Sequence, residues 1–330
     1  MARHRLSGLL RFIRLFKGAG LLATALTLSS PGMAGALELL LGTGEAGSFS
    51  HHAGRAVCRT INRNAGDLQC KTAPSSDPFD TLTNLQGGSL DMALVDSRLL
   101  HDAATKSGVF RFLDIGYENL RSLFPLYEVP AVLVARRDAG IASAGDLAGR
   151  RINAGAPGTP RRTATEALMS AKNWTKDDFN LFGELSASQN QDTMAFCHGT
   201  FEALILPGVH PDPSLRKLLE LCEAVLVNMH DKDIERFIEE QPAFHKIVVP
   251  AGTYPSRATA VVTFGTRAVL TASGNLDSET AERIMEAIFG DLERLHGAHP
   301  AMKWLDKEKA RDSAPGLPPH PAAVRYFSEP

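Results

Sequence analysis

Short apolar runs recur along this chain from residue 37 onward, each ending in a small polar or glycine loop that opens a helical pattern. Alternation of strand-like runs with a 3.6-residue period is the pattern of an α/β fold, and it excludes an all-helical or all-β chain. Strands are expected over 37–41, 68–73, 91–95, 130–136, 151–155, 202–206, 224–227, 246–249 and 260–270. Helices are expected over 47–65, 77–87, 161–172 and 278–299. The last carries one apolar stripe through Ala281, Ile284, Met285, Ile288, Phe289, Leu292 and Leu295, the spacing of a core-facing helix. Thr175 with Asp178 three residues on reads as a capping box, and the Pro-rich stretch 312–321 as an extended tail. With 44% hydrophobic and 22% charged residues in 330 and no internal repeat, wholesale disorder, collagen and a multi-span membrane protein are excluded.

Residues 1–36 have a different character. Arg3, Arg5, Arg11, Arg14 and Lys17 precede an apolar stretch at 18–28, and Ala34 and Ala36 satisfy an A-x-A cleavage rule. The apolar core is about half the ~20 residues that span a bilayer, so a signal peptide cleaved after Ala36 and a periplasmic mature protein are expected. The remaining chain holds 30 basic against 37 acidic groups, which argues against a nucleic acid partner. All four cysteines lie in this mature part and allow three pairings. The sequential one, Cys58–Cys70 and Cys197–Cys222, closes short loops, each read as joining a helix end to a following strand. No C-x-x-C accompanies them, so disulfides are expected and no metal site.

Function is expected in the loops after the strands. In open α/β sheets the carboxyl ends of strands form the ligand crevice, and helix N-termini there offer N–H groups to an anion. The loops expected to line it contribute Gly44, Glu45, Ser48 and Phe49, then Ser75, Ser76 and Asp77, then Asp96 and Ser97. Ala156, Pro157, Gly158, Thr159, Arg161, Arg162 and Thr163 follow another strand, and His210 and Tyr254 lie in two later loops. Arg161 and Arg162 have the planar fork that holds a carboxylate, while Glu45, Asp77 and Asp96 suit an ammonium or hydroxyl group, Asp77 doubling as a helix cap.

Enzymatic motifs do not survive inspection. Gly42-Thr-Gly-Glu-Ala-Gly47 fits G-x-G-x-x-G, with Asp67 about 20 residues on, but export argues against a free dinucleotide. Ser48, Ser50, His51 and His52 mix nucleophile and base types without G-x-S-x-G, and His296 and His299 read as groups serving a helix end. No catalytic residue and no cofactor is expected; an exported dinucleotide-dependent oxidoreductase is the enzymatic alternative.

Several segments together resemble the TAXI solute-binding proteins of tripartite ATP-independent periplasmic (TRAP) transporters. They are Leu41-Gly-Thr-Gly44, Ala56-Val-Cys58 with Cys70, and Gly88-Ser-Leu-Asp-Met-Ala-Leu-Val-Asp-Ser97. Arg151-Ile-Asn-Ala-Gly-Ala-Pro-Gly158, Ala171-Lys-Asn-Trp-Thr-Lys-Asp-Asp178 and Cys197 with Cys222 continue the series. His210-Pro211, Pro250-Ala-Gly-Thr-Tyr-Pro255 and His320-Pro-Ala-Ala-Val-Arg-Tyr-Phe327 complete it. The resemblance implies a two-lobed periplasmic binding protein of the type II, venus-flytrap kind. Lobe 1 would be 37–131 and 262–330, and lobe 2 would be 132–261. A monomer is expected, binding a small carboxylate or amino acid in the interlobe cleft and delivering it to a TRAP membrane permease that uses an ion gradient. A module sensing a ligand for a sensor kinase would have the same fold, and that reading stays open here. The family's glycine-rich first and second loops are replaced by Gly44-Glu-Ala-Gly-Ser-Phe49 and Pro74-Ser-Ser-Asp77. Each change adds an acid, so a ligand with a positive or hydroxyl-bearing end is expected, opposite Arg161 and Arg162.

Overall fold

The computed structural model describes residues 36–185, 189–255, 258–312 and 314–328. Apart from Ala36, the expected signal segment lies outside the described residues. Among the described residues ten strands are present: β1 (Leu37–Thr43), β2 (Leu68–Pro74), β3 (Met92–Asp96), β4 (Leu120–Arg136), β5 (Arg151–Asn153), β6 (Leu181–Gly183), β7 (Ala203–Pro207), β8 (Ala224–Val227), β9 (His245–Val249) and β10 (Val261–Ser273). The helices are α1 (Phe49–Asn64), α2 (Pro78–Gln86), α3 (Ser97–Thr105), α4 (Pro160–Lys172), α5 (Gln189–Cys197), α6 (Pro213–Leu221), α7 (Lys232–Glu240), α8 (Ser278–Phe289), α9 (Leu292–Ala298) and α10 (Pro321–Ser328).

The strands form one path, β2-β1-β3-β10-β4-β7-β5-β6, with β8 added to β4 and β9 to β10. Two long antiparallel strands make that continuity possible. β10 pairs with β9 through 261–265 and with β3 through 268–272, while β4 stays beside it from Leu120 to Ala131. Beyond that level β4 pairs with β7 and β8. The core divides about these strands. Leu41, Ile61, Phe124 and Ile284 belong to one apolar cluster, and Leu133, Ile152, Leu168 and Ile205 to another. The molecule is therefore a mixed α/β fold with two lobes sharing β4 and β10.

Register places the crevice. β1, β2 and β3 run parallel, and β3 ends at Asp96 opposite Ala268 of β10, which in turn faces Tyr127 of β4. On the other side, parallel β5 and β7 run toward Pro207, which faces Ala131 of β4. Both sets of strands thus direct their carboxyl ends toward the middle of β4, around 127–131. The loops that follow them come from both lobes.

Three expectations need correction. β4 starts ten residues before the expected strand, because Pro125 and Pro130 disguise it. Pro125 sits at a register shift against β10, where a missing N–H is tolerated. The expected helix 278–299 is two helices, α8 closing at Gly290 and α9 following. The tail at 312–321 leads into a further helix, α10, which packs on α8.

The shared strands approach closely at one glycine. A Cβ on Gly265 would lie 2.3 Å from the Val129 carbonyl oxygen and 2.7 Å from Pro130 Cα, both backbone atoms that cannot swing aside. Gly265→Ala should lower the unfolding free energy by about 3 kcal/mol in urea titration. Gly47→Ala, with open space around it, should change it by under about 1 kcal/mol.

Candidate functional site

The first loop is held by its own side chains. Ser48 caps α1, its Oγ accepting from His51 N at 3.2 Å, and Gly44 N–H donates to Ser50 Oγ at 3.2 Å. His51 Nδ1 bonds Thr43 Oγ1 at 3.0 Å, so this half-buried histidine serves the loop. Glu45 is exposed. Phe49 is half-buried, edge-on to Tyr127 at 4.9 Å and to His299 at 4.6 Å.

The second loop is an Asx-type turn. Asp77 caps α2 by accepting from Phe79 N at 2.8 Å with Oδ1, while Ser75 Oγ accepts from Asp77 N at 3.1 Å. Asp77 and Ser76 are exposed. Asp96 caps α3 through Arg98 N at 2.9 Å and accepts from Thr266 Oγ1 of β10. Burial raises the Asp96 carboxyl above its ordinary range, opposed by the Thr266 bond. Ser97 is buried and crosses between lobes: its Oγ donates to the Ala243 carbonyl at 2.9 Å and accepts from Arg267 N at 3.1 Å.

In the fourth loop Gly155 and Gly158 adopt φ of 82° and 81°, which carry the chain around Ala156 and Pro157 into α4. Thr159 caps that helix, accepting from Arg162 N at 3.3 Å and donating to Ala156 O at 2.7 Å. Thr163 is half-buried in its first turn.

The two arginines are already paired. Arg162 Nε meets Glu166 at 2.7 Å and Nη1 meets Glu184 at 2.8 Å, with its guanidinium over Phe182. Lys176, then Arg162, hold the Glu184 carboxyl down at about 2. Arg161 Nη1 lies 2.7 Å from the buried carboxylate of Asp192, which also accepts from Asn153 Nδ2 at 2.6 Å. Asn153 Oδ1 in turn accepts from Gly155 N and Leu185 N. Asn153, Asp192 and Thr266 were not among the sequence candidates. Only the position of Asn153 at the end of a strand could have pointed to it.

His210 and Tyr254, 44 residues apart, come together: His210 Nδ1 lies 2.5 Å from Tyr254 Oη, which also accepts from Asp212 N at 2.9 Å. Burial holds His210 down to about 4 and pushes Tyr254 up to about 12. One neighbour of His210 reaches the other lobe: Val209 packs against the cluster containing Leu41. His299 does not serve the end of α9; it caps the following turn, its Nδ1 accepting from Ala301 N at 3.2 Å. His296 bonds the Leu305 carbonyl.

Both sequential disulfides are formed, Cys58–Cys70 and Cys197–Cys222. Their placement differs in detail from the expectation, since Cys58 lies within α1 and Cys222 at the end of α6. Among the described residues no group of three His, Cys, Asp or Glu side chains is arranged for a metal, and no helix is long and apolar enough to cross a membrane.

Residues 41–330 match the NMT1-like family. The chain belongs to that family. Among solved structures, a TctC solute binding protein from Polaromonas superposes on the NMT1-like chain with a TM-score of 0.54. Identity is 13%, over 83% of this chain and 88% of that one. The periplasmic aliphatic sulphonate binding protein SsuA from Escherichia coli gives 0.47 at 12% identity, over 88% of this chain and 78% of that one. PhnD1 from Prochlorococcus marinus, in complex with methylphosphonate, gives 0.48 at 11%, over 81% and 90%. The Polaromonas match shows that this NMT1-like chain has the fold of a solute-binding protein.

Proposed function

We propose that this chain is an extracytoplasmic solute receptor that binds a small carboxylate or amino acid between its lobes and hands it to a TRAP-type membrane permease. The observation that carries the reading is the convergence of strand-end loops from both lobes on the middle of β4 and β10. Lobe 1 comprises 37–131 and 262–330, lobe 2 comprises 132–261, and the shared strands act as the hinge. Lobe 1 offers Gly44, Glu45, Ser48, Phe49 and the loop 75–77, with Asp96 and Ser97 at the hinge side. Lobe 2 offers 156–159, Thr163 and His210, with Tyr254 behind His210 and Arg161, paired with Asp192, behind the loop. Arg162 contributes by fixing the first turn of α4, since two carboxylates already occupy its guanidinium.

Asp77 uses one carboxylate oxygen as a cap, and the other, like exposed Glu45, suits an ammonium group. An amino acid would then lie with its amine toward lobe 1 and its carboxylate toward α4 and His210. Thermal unfolding of the oxidised mature protein against carboxylates and amino acids tests this. A ligand at about a thousand times its Kd stabilises by roughly 4 kcal/mol, a shift of several degrees. No shift with any of them would overturn the carboxylate reading, and a shift with amino acids that Asp77→Ala/Glu45→Ala leaves unaltered would overturn the placing of the amine.

A further inference from the structure

Tyr254 is almost wholly buried, and its hydroxyl accepts from the Asp212 N–H while lying 2.5 Å from His210 Nδ1. A buried phenol needs an acceptor for its own proton, and among the described residues His210 Nδ1 is the one within reach. The hydroxyl therefore donates to Nδ1, and the imidazole, kept neutral by its burial, carries its hydrogen on Nε2. Nε2 is itself buried and meets no hydrogen-bond partner among the described residues. The ring thus has one committed acceptor edge and one uncommitted donor edge.

Its position says what that edge is for. The loop 208–212 leaves the carboxyl end of β7 at the level where the lobes meet, with Gly208 N–H donating to the Pro130 carbonyl of β4 at 3.0 Å. Val209, next to His210, packs against the core of lobe 1. We infer that His210 is a specificity-determining donor of lobe 2, giving its Nε2–H to a carboxylate oxygen of the bound solute, and that Tyr254 is the positioning residue that fixes the tautomer. The inference rests on the receptor reading above and goes beyond it by naming the donor and its direction. A protonated Nε2 has no lone pair for an ammonium, so this edge accepts the carboxylate end of an amino acid and rejects the amine end.

The test uses L-glutamate and 2-oxoglutarate as probes, with calorimetric titration and nitrogen-15 NMR of the imidazole. His210→Asn puts an amide oxygen where Nδ1 sits, keeping an acceptor for Tyr254 while deleting the Nε2 donor. His210→Gln puts an amide nitrogen near Nε2. We expect His210→Asn to weaken the probe that binds by about 10- to 100-fold, and His210→Gln to recover most of that loss. In the unsubstituted protein NMR should show Nδ1 unprotonated and the Nε2–H resonance shifting with the probe. Tyr254→Phe should introduce the other tautomer. If the unsubstituted protein binds neither probe, the carboxylate receptor reading fails and takes this assignment with it. If it binds one and His210→Asn binds as tightly, or the Nε2–H resonance does not move at saturation, the assignment alone is overturned.

Discussion

Reduction of the two disulfides should lower the unfolding free energy of the protein by about 6 kcal/mol, close to 3 kcal/mol for each. The cross-links close loops of 12 and 25 residues, so each removes chain entropy from the unfolded state. They also act on different lobes. Cys58 and Cys70 are part of the cluster containing Leu41, whereas Cys222, with half-buried Cys197 against it, belongs to the cluster of β4 and β7. Denaturant unfolding with and without a reductant measures the sum. Cys58→Ala/Cys70→Ala and Cys197→Ala/Cys222→Ala measure the parts, each expected to destabilise mainly its own lobe, as read by amide exchange. An unchanged midpoint in reductant would show that the bonds add nothing to stability in solution.

Asp192→Ala should cost about 3–5 kcal/mol, because it leaves the Arg161 guanidinium buried without its counter-charge. The same carboxylate holds Asn153, whose side-chain oxygen receives the N–H of Gly155 at the start of the α4 loop. Loss of Asp192 should therefore loosen the loop 155–159 as well as destabilise the lobe. Urea unfolding gives the energy, and amide exchange at Gly155 and Leu185 gives the local effect. Arg161→Met/Asp192→Leu should recover most of the stability, since an apolar pair of similar volume avoids the desolvation of both charges. If the double variant is as unstable as Asp192→Ala, the energy resides in Asn153 and the loop instead of the ion pair.

That ion pair also shows where reading a sequence stops. Arg161 and Arg162 stand out in the chain as two adjacent free forks beside a glycine loop. Their partners Asp192 and Glu184 lie in segments whose pattern gives no hint of contact with α4. A guanidinium looks equally available in the sequence whether or not a carboxylate from another element reaches it. Ser97 is similar: the sequence places it after a strand, and only the fold brings Ala243 against it.

What the sequence alone determined was local. Alternating periods give every described strand except β6 and the helices α1, α2, α4 and α8, while α3, α5, α6 and α7 escape them; Asp77 reads as a cap because capping depends on residues two or three apart. The sequential pairing of the cysteines was legible for the same reason, the short separation between partners. Tertiary structure decided the length of β4, the closeness of Gly265 to Val129, the occupancy of both arginines and the meeting of His210 with Tyr254. Each of these depends on a group brought alongside by the sheet and its packing. Such a meeting is set by the shape of the whole core, and no short window of residues encodes it.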